Sequence, residues 1–151
     1  MEIRKWNKCD AIPYELLLLA DPDRSAIDCY FLQSDVFLLL ERESIYGVIC
    51  IQNGEDSSEI VNISVSPSYQ GQGYGKKLIQ QALTHALWLH KSTLIVKTAN
   101  SSIQALAFYQ KNGFRMVAII PDYFTKNYAY PIFENGIRAQ DQIVLAYFLN
   151  N

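Results

Sequence analysis

Little net charge separates the two signs in this chain: 13 Lys and Arg stand against 15 Asp and Glu, a balance of −2. No basic field is available to hold nucleic acid or an anionic membrane by counterion release, so neither is expected as a partner. A cationic partner suits the balance better. Apolar runs are short as well: stretches such as residues 16–20 and 36–40 fall far below the ~20 residues that span a bilayer. Cysteine is scarce, and Cys9, Cys29 and Cys50 form an odd set with no CxxC spacing and no nearby His pair. That pattern argues against a disulfide framework and against a zinc site, so no metal is expected. Buried free thiols in a reducing cytosol are the expectation instead. The first eight residues are polar and contain no apolar h-region, so no secretory signal is expected and the cytoplasm is the expected location.

What is present is ordinary for a globular protein, with half of the residues hydrophobic and 19% charged. At 151 residues the chain is expected to form one domain over residues 1–151, large enough to bury roughly 68–70% of the surface its unfolded form exposes. Aromatic residues are abundant, with ten Tyr and seven Phe.

The pattern of apolar residues and punctuators predicts a short edge strand over 3–6 and a helix over 13–20, stopped because Asp21 precedes Pro22. Asp23 or Ser25 would cap a second helix running through Phe31 and Gln33. Two β-rich runs, 36–41 and 46–52, are joined by the polar link 42–45 and should pair antiparallel. A strand over 59–65 ends at Pro67. The helix that follows, over 76–90, carries its apolar stripe at Leu78, Ile79, Ala82, Leu83, Ala86 and Leu87. A buried strand over 93–98 comes next and should lie parallel to 59–65 across this crossover. A helix over 103–112, ended by Gly113, leads to strands over 116–120 and 142–149. The connection between those strands, 121–141, is long for a compact domain and aromatic, which marks it as functional.

Between the strand ending at Val65 and its helix stand Gly71, Gly73 and Gly75, at every second position. Such a turn can curl closely round an anion, aiming amide N–H groups and a helix N-terminus at it. The Rossmann fingerprint fails, because its third glycine would fall at Lys76, and the P-loop pattern fails too. A purely structural turn is the alternative use of the glycines.

The segment Val65-Ser66-Pro67-Ser68-Tyr69-Gln70-Gly71-Gln72-Gly73-Tyr74-Gly75-Lys76 resembles the acyl-CoA pyrophosphate signature of the GNAT superfamily of N-acetyltransferases, Q/R-x-x-G-x-G/A after V-x-P. Gln70, Gly73 and Gly75 carry the match. A second segment, Asn100 to Ala105 followed by Phe108-Tyr109-Gln110-Lys111-Asn112-Gly113-Phe114, resembles the family's N-x-x-A…FY-x-K-x-GF block. The resemblance implies an α/β fold with a central mixed, mostly antiparallel sheet of about six or seven strands and helices on both faces. It implies that this sheet splays between two parallel strands, those ending at Val65 and Thr98. The pantetheine arm of acetyl-CoA would then pair with the backbone of Ile63, Ser64 and Val65. Amides from Gln70 through Gly71, Gln72, Gly73, Tyr74 and Gly75 to Lys76 would hold the pyrophosphate, and Asn100 would bond the pantetheine amide or cap the next helix.

Acetyl transfer from a thioester to an amine needs a neutral amine, an oxyanion donor and a proton for the leaving thiolate. An alkyl amine, with a pKa of about 10.4, is mostly protonated at neutral pH, so a base within reach is useful. Glu59 is the only acid in its strand and stands eleven residues before Gln70, as does the general-base glutamate of the family's histone acetyltransferase branch; an exposed strand-end carboxylate is its other reading. Tyr109 occupies the family's position for protonating the coenzyme A thiolate. A backbone N–H near Ser64 or Val65 would meet the oxyanion. Lys76, Lys77 and Lys111 lie near the expected phosphates or on solvated surface; His85 and His90 receive no role.

The aromatic connection, with Tyr123, Phe124, Tyr128, Tyr130, Phe133 and Glu134, suits a cation on the acceptor side. It serves equally as a lid or as a homodimer contact. Two functions follow: an acetyl-CoA-dependent N-acetyltransferase acting on a primary amine of a small molecule, peptide or protein side chain, or an acyl-CoA-binding sensor without turnover.

Overall fold

The computed structural model describes residues 1–149. Strand β1 (Glu2–Lys5) leads to helix α1 (Tyr14–Ala20), which stops where Asp21, forced extended by Pro22, leaves the helical region. Helix α2 (Arg24–Tyr30) is capped by Asp23, whose carboxylate accepts from the amides of Ser25 and Ala26 at 3.0 and 3.3 Å. A 3₁₀ turn over Phe31–Gln33 closes it. Strands β2 (Asp35–Glu41) and β3 (Ser44–Asn53) form a tighter hairpin than the sequence suggests: Ser44 and Ile45 join β3, and only Arg42, at φ 58, and Glu43 turn the chain.

Strand β4 (Ser57–Val65) is followed by α3 (Tyr74–Trp88), β5 (Thr93–Ala99), α4 (Ile103–Lys111) and β6 (Arg115–Ile120). The connection 121–141 folds as a short helix α5 (Tyr123–Asn127) and a small hairpin of β7 (Phe133–Glu134) and β8 (Ile137–Arg138), before β9 (Gln142–Phe148). Seven strands make one sheet in the order β1-β2-β3-β4-β5-β9-β6. Only β4 and β5 are parallel; every other neighbouring pair is antiparallel.

The parallel pair positions the site. β4 and β5 are joined only from Ser57 to Ile60 and from Thr93 to Val96. Beyond that point β4 stays with β3, β5 stays with β9, and the sheet is open between them. A β-bulge marks the parting: Ile51 opposes Ile60 and Cys50 opposes Asn62, leaving Val61 as the extra residue. Ile60 faces one core and Val61 the other, as alternation requires, and the extra residue lets Asn62 face the same side as Val61, where it meets Leu17 of α1.

Those two cores lie on opposite faces of the sheet. Leu78, Ile79 and Ala82 of α3 and Tyr109 of α4 pack with Leu39, Ile49, Ile51 and Leu145 on one face. Leu16 and Leu17 of α1, Ile27 of α2 and Phe31 pack with Val36, Leu38, Leu40 and Val48 on the other. Covered on both sides, β2 reads as an unbroken apolar run rather than an alternation.

His85 ties α3 to the start of β2, with Nε2 2.7 Å from Oδ2 of Asp35 and its ring edge-on to Phe37 at 5.1 Å. Partial burial works against the charge on Asp35, but hydrogen bonds from His85 and Asn53 and the charge of Lys5 outweigh it and hold the carboxyl below its usual range. The expectation of buried thiols is corrected at two positions. Cys9 sits exposed in a polar turn, and Cys29, two residues from the buried Ile27, faces the opposite side of α2. Only Cys50 is buried, and burial pushes its thiol up to about 12.

Candidate active site

A 3₁₀ turn over Pro67–Tyr69 carries the chain from β4 into the glycine turn. Gln70 buttresses this turn from within, its Nε2 donating to the Val65 carbonyl at 2.9 Å, and Gln72 does likewise to Ser68 at 3.3 Å. Gly71 at φ 76 and Gly73 at φ 85 occupy left-handed conformations, and a Cβ on either would meet nothing within 4 Å. These glycines therefore meet the demands of the backbone path and leave open space beside the turn. Gly75 differs, because its Cβ would lie 3.1 Å from the Phe108 ring; here glycine lets α3 start against α4.

Among the described residues, no hydrogen-bond acceptor takes the amides of Gly71 through Lys76. The amide of Gln70 is already engaged by Pro67 at 3.4 Å. Gly73 caps α3 with no side chain, so the first amides of a fifteen-residue helix face the turn unmet. A cavity of about 500 Å³ opens there, lined by Ile63, Val65, Gln70, Gly71, Gly73, Gly75 and Lys76, with Gln104, Ala105, Phe108 and Asn112 of α4 opposite. Ser64, Gln72 and Tyr74 do not line it. Ser64 is buried with Oγ 3.4 Å from Asn62 Oδ1, and Tyr74 stands edge-on to Tyr69 with Lys77 over its ring.

A second cavity, of about 330 Å³, occupies the parting of β4 and β5. Ile63, Gln104 and Ala105 line both cavities, so the two adjoin. Tyr109 forms part of the wall, only 7% exposed, its ring edge-on to Phe108 and Phe114 at 5.4 and 5.7 Å. Its hydroxyl has no side-chain or backbone partner among the described residues, and burial pushes it up to about 12. Glu59 does not line the opening itself. Its Oε1 lies 3.3 Å from Nζ of Lys97, the first β5 residue past the parting, and Lys97 lines the opening.

Asn62 anchors the other wall, donating from Nδ2 to the Leu17 carbonyl and to the Tyr30 hydroxyl, both at 3.0 Å. This buried bond fixes α1 and α2 against β4. A lone amide inside an apolar strand was its signal in the sequence.

The β7–β8 hairpin closes the far side. Asn135 and Gly136, at φ 56 and 73, form the two-residue turn that such hairpins favour. Asn135 donates to the Ser101 carbonyl at 2.8 Å and accepts from Gln104 at 2.9 Å, while Ser102 donates to Oε1 of Glu134 at 2.9 Å. Asn100 lines none of the cavities described here. Its Oδ1 accepts from the amides of Gln140 and Asp141 at 2.8 and 3.0 Å, and its Nδ2 donates to the Arg138 carbonyl at 3.2 Å, so its side chain clamps the return into β9. A third cavity, of about 400 Å³, lies beneath the hairpin and α5; it shares Val61, Lys97, Thr98, Ser102 and Glu134 with the opening in the sheet.

One groove thus runs from an anion-receptive turn, through a parted sheet with a tyrosine hydroxyl in its wall, to an aromatic pocket. Among the described residues, no cluster of three His, Cys, Asp or Glu is placed to hold a metal ion, and no helix is long and apolar enough to cross a membrane. This is the architecture of an acyl-coenzyme A-dependent acetyltransferase. Residues 33–116 match the family model of the acetyltransferase (GNAT) domain. The uncharacterized N-acetyltransferase YvbK of Bacillus subtilis is 40% identical over 133 residues, 87% of this chain and 86% of that protein. A GNAT family acetyltransferase from Elizabethkingia anophelis, solved with acetyl-CoA bound, superposes with a TM-score of 0.93 at 36% identity, covering 98% of this chain and 97% of that one. The IAA acetyltransferase from Bacillus cereus gives a TM-score of 0.89 at 42% identity, covering 98% and 99%. The chain belongs to the GNAT family and is an acetyl-CoA-dependent acyltransferase with acetyl-CoA as co-substrate.

Proposed function

We propose that this protein transfers the acetyl group of acetyl-CoA to a primary amine by direct attack, with both substrates bound at once. The observation that carries the reading is three cavities adjoining through shared walls, with Tyr109 in the wall of the middle one; in this reading the coenzyme takes the cavity at the glycine turn and the acceptor the one beneath the hairpin. The pyrophosphate rests on the amides from Gly71 to Lys76. The pantetheine arm runs along the free edge of β4 at Ile63, Ser64 and Val65, whose backbone lacks a strand on that side.

The amine nitrogen attacks the thioester carbonyl, the carbon–sulfur bond breaks, and the sulfur leaves with the electron pair. The Tyr109 hydroxyl gives its proton to that sulfur. Burial raises the phenol, which keeps its proton in place until the thiolate forms beside it. A backbone N–H near Ser64 or Val65 meets the oxyanion. Glu59, set back from the opening and paired with Lys97, takes the amine proton through one water.

The pocket of about 400 Å³ suits a small molecule, or the end of a peptide or side chain, better than a folded surface. A relative 29% identical over 72% of this chain, from Haemophilus ducreyi, is named for acetylating an alanine of ribosomal protein bS18, which supports an amine acceptor. Incubation with acetyl-CoA and a panel of primary amines should release free thiol in step with acetylated amine. Tight acetyl-CoA binding with no thiol release from any amine would favour a coenzyme sensor instead.

A further inference from the structure

The acceptor pocket carries charge at both of its ends. Glu134 stands where the pocket meets the opening in the sheet, and among the described residues it is the only carboxylate that lines that opening. Ser102 engages its Oε1, leaving Oε2 without a protein partner among the described residues. Asp21 lines the outer end, held there by the Asp23 amide at 3.0 Å and the Tyr30 hydroxyl at 3.2 Å. Between the two acids lies an aromatic wall, with Phe124 and Tyr128 stacked at 5.7 Å and Tyr123 edge-on to Phe124 at 5.1 Å. Asp21 and Tyr128 line this cavity together, and burial first, then the Tyr123 hydroxyl and the charges of Asp21 and Asp23, raise the Tyr128 hydroxyl. The one basic side chain lining the pocket, Lys97, is paired with Glu59. The lining therefore carries an acid at each end and a net negative charge.

We infer that the acceptor is a small amine bearing a second cationic group, the reacting nitrogen lying near Glu134 and the distal cation lying between Asp21 and the stacked rings of Phe124 and Tyr128. This rests on the transferase reading above and names its substrate class. A distal cation gains the Asp21 carboxylate and the aromatic wall, whereas a distal carboxylate would face Asp21 as a like charge. A distal methyl group gains only contact.

The test compares α,ω-diaminoalkanes with the monoamines of equal chain length and the corresponding ω-amino acids, following thiol release from acetyl-CoA. At the best chain length kcat/KM for the diamine should exceed that of the monoamine by about tenfold, mostly through KM, and the amino acid should fall below both. Asp21→Asn keeps an oxygen for the Asp23 amide and should bring the diamine-to-monoamine ratio close to one; Tyr128→Leu should lower the ratio independently. A wild-type ratio of one or less at every chain length, or a ratio unchanged in both variants, would overturn the inference while leaving amine acetylation standing. Thiol release from no amine, with acetyl-CoA demonstrably bound, would overturn the transferase reading and this inference together.

Discussion

Tyr109→Phe is expected to lower kcat by about 10²-fold or more while changing acetyl-CoA affinity by less than about twofold, because it removes the general acid and little else. The hydroxyl makes no hydrogen bond among the described residues, so its loss breaks none there, and the ring keeps its packing against Phe108 and Phe114. Stability should hold or rise slightly. Steady-state kinetics and a coenzyme titration on the same preparation separate the two effects; unchanged turnover would remove Tyr109 from the acid role. The pH profile supplies a second check with a definite sign. A phenol pushed up to about 12 stays protonated, and so able to donate, at every lower pH. No fall in rate from loss of this proton should therefore appear below about pH 10, and a limb seen there belongs to another group.

Gly113→Ala is expected to destabilise the protein by about 2–5 kcal/mol, from two additive causes. At φ 95 a side chain costs about 1–2 kcal/mol, and the new Cβ would lie 2.8 Å from Cε2 of Tyr147, an overlap of a kind that costs about 1–3 kcal/mol. Urea unfolding measures the sum, and Gly113→Ala combined with Tyr147→Leu should recover the crowding part alone. A loss below about 1 kcal/mol in the single variant would contradict the packing described. The strain would not stay local, since the Tyr147 ring touches Phe114, which touches Tyr109, so the crowding enters the wall of the opening. Gly71 and Gly73 carry the backbone cost without the overlap, since a Cβ on either would meet nothing within 4 Å.

Much of this arrangement was legible along the chain because it is written in local pattern. The glycine turn between strand and helix, the parallel crossover from β4 to β5, and the Gly113 stop with Phe114 folded back all rest on neighbours in sequence. What was hidden depends on distant partners. Leu87 belongs to the predicted apolar stripe of α3 but lies 44% exposed, while His85 turns inward because Asp35, fifty residues earlier, meets it. The two-residue strands β7 and β8 are too short to show an alternation, so the hairpin that Asn135 and Gly136 turn lay hidden in a long connection. The residue at which the sheet parts is set by the bulge at Val61, which leaves no local mark. Asn100 had a readable position at the end of a strand, but its three partners between Arg138 and Asp141 come from the far end of the chain.

The central claim is that coenzyme and acceptor occupy the two arms of one groove at the same time and react without a covalent stop on the protein. Initial velocities measured while acetyl-CoA and a primary amine are varied together test this most directly. Lines that intersect in a double-reciprocal plot, with no thiol released before the amine is added, are the predicted result. Parallel lines, with a burst of thiol from acetyl-CoA alone in proportion to enzyme, would contradict it.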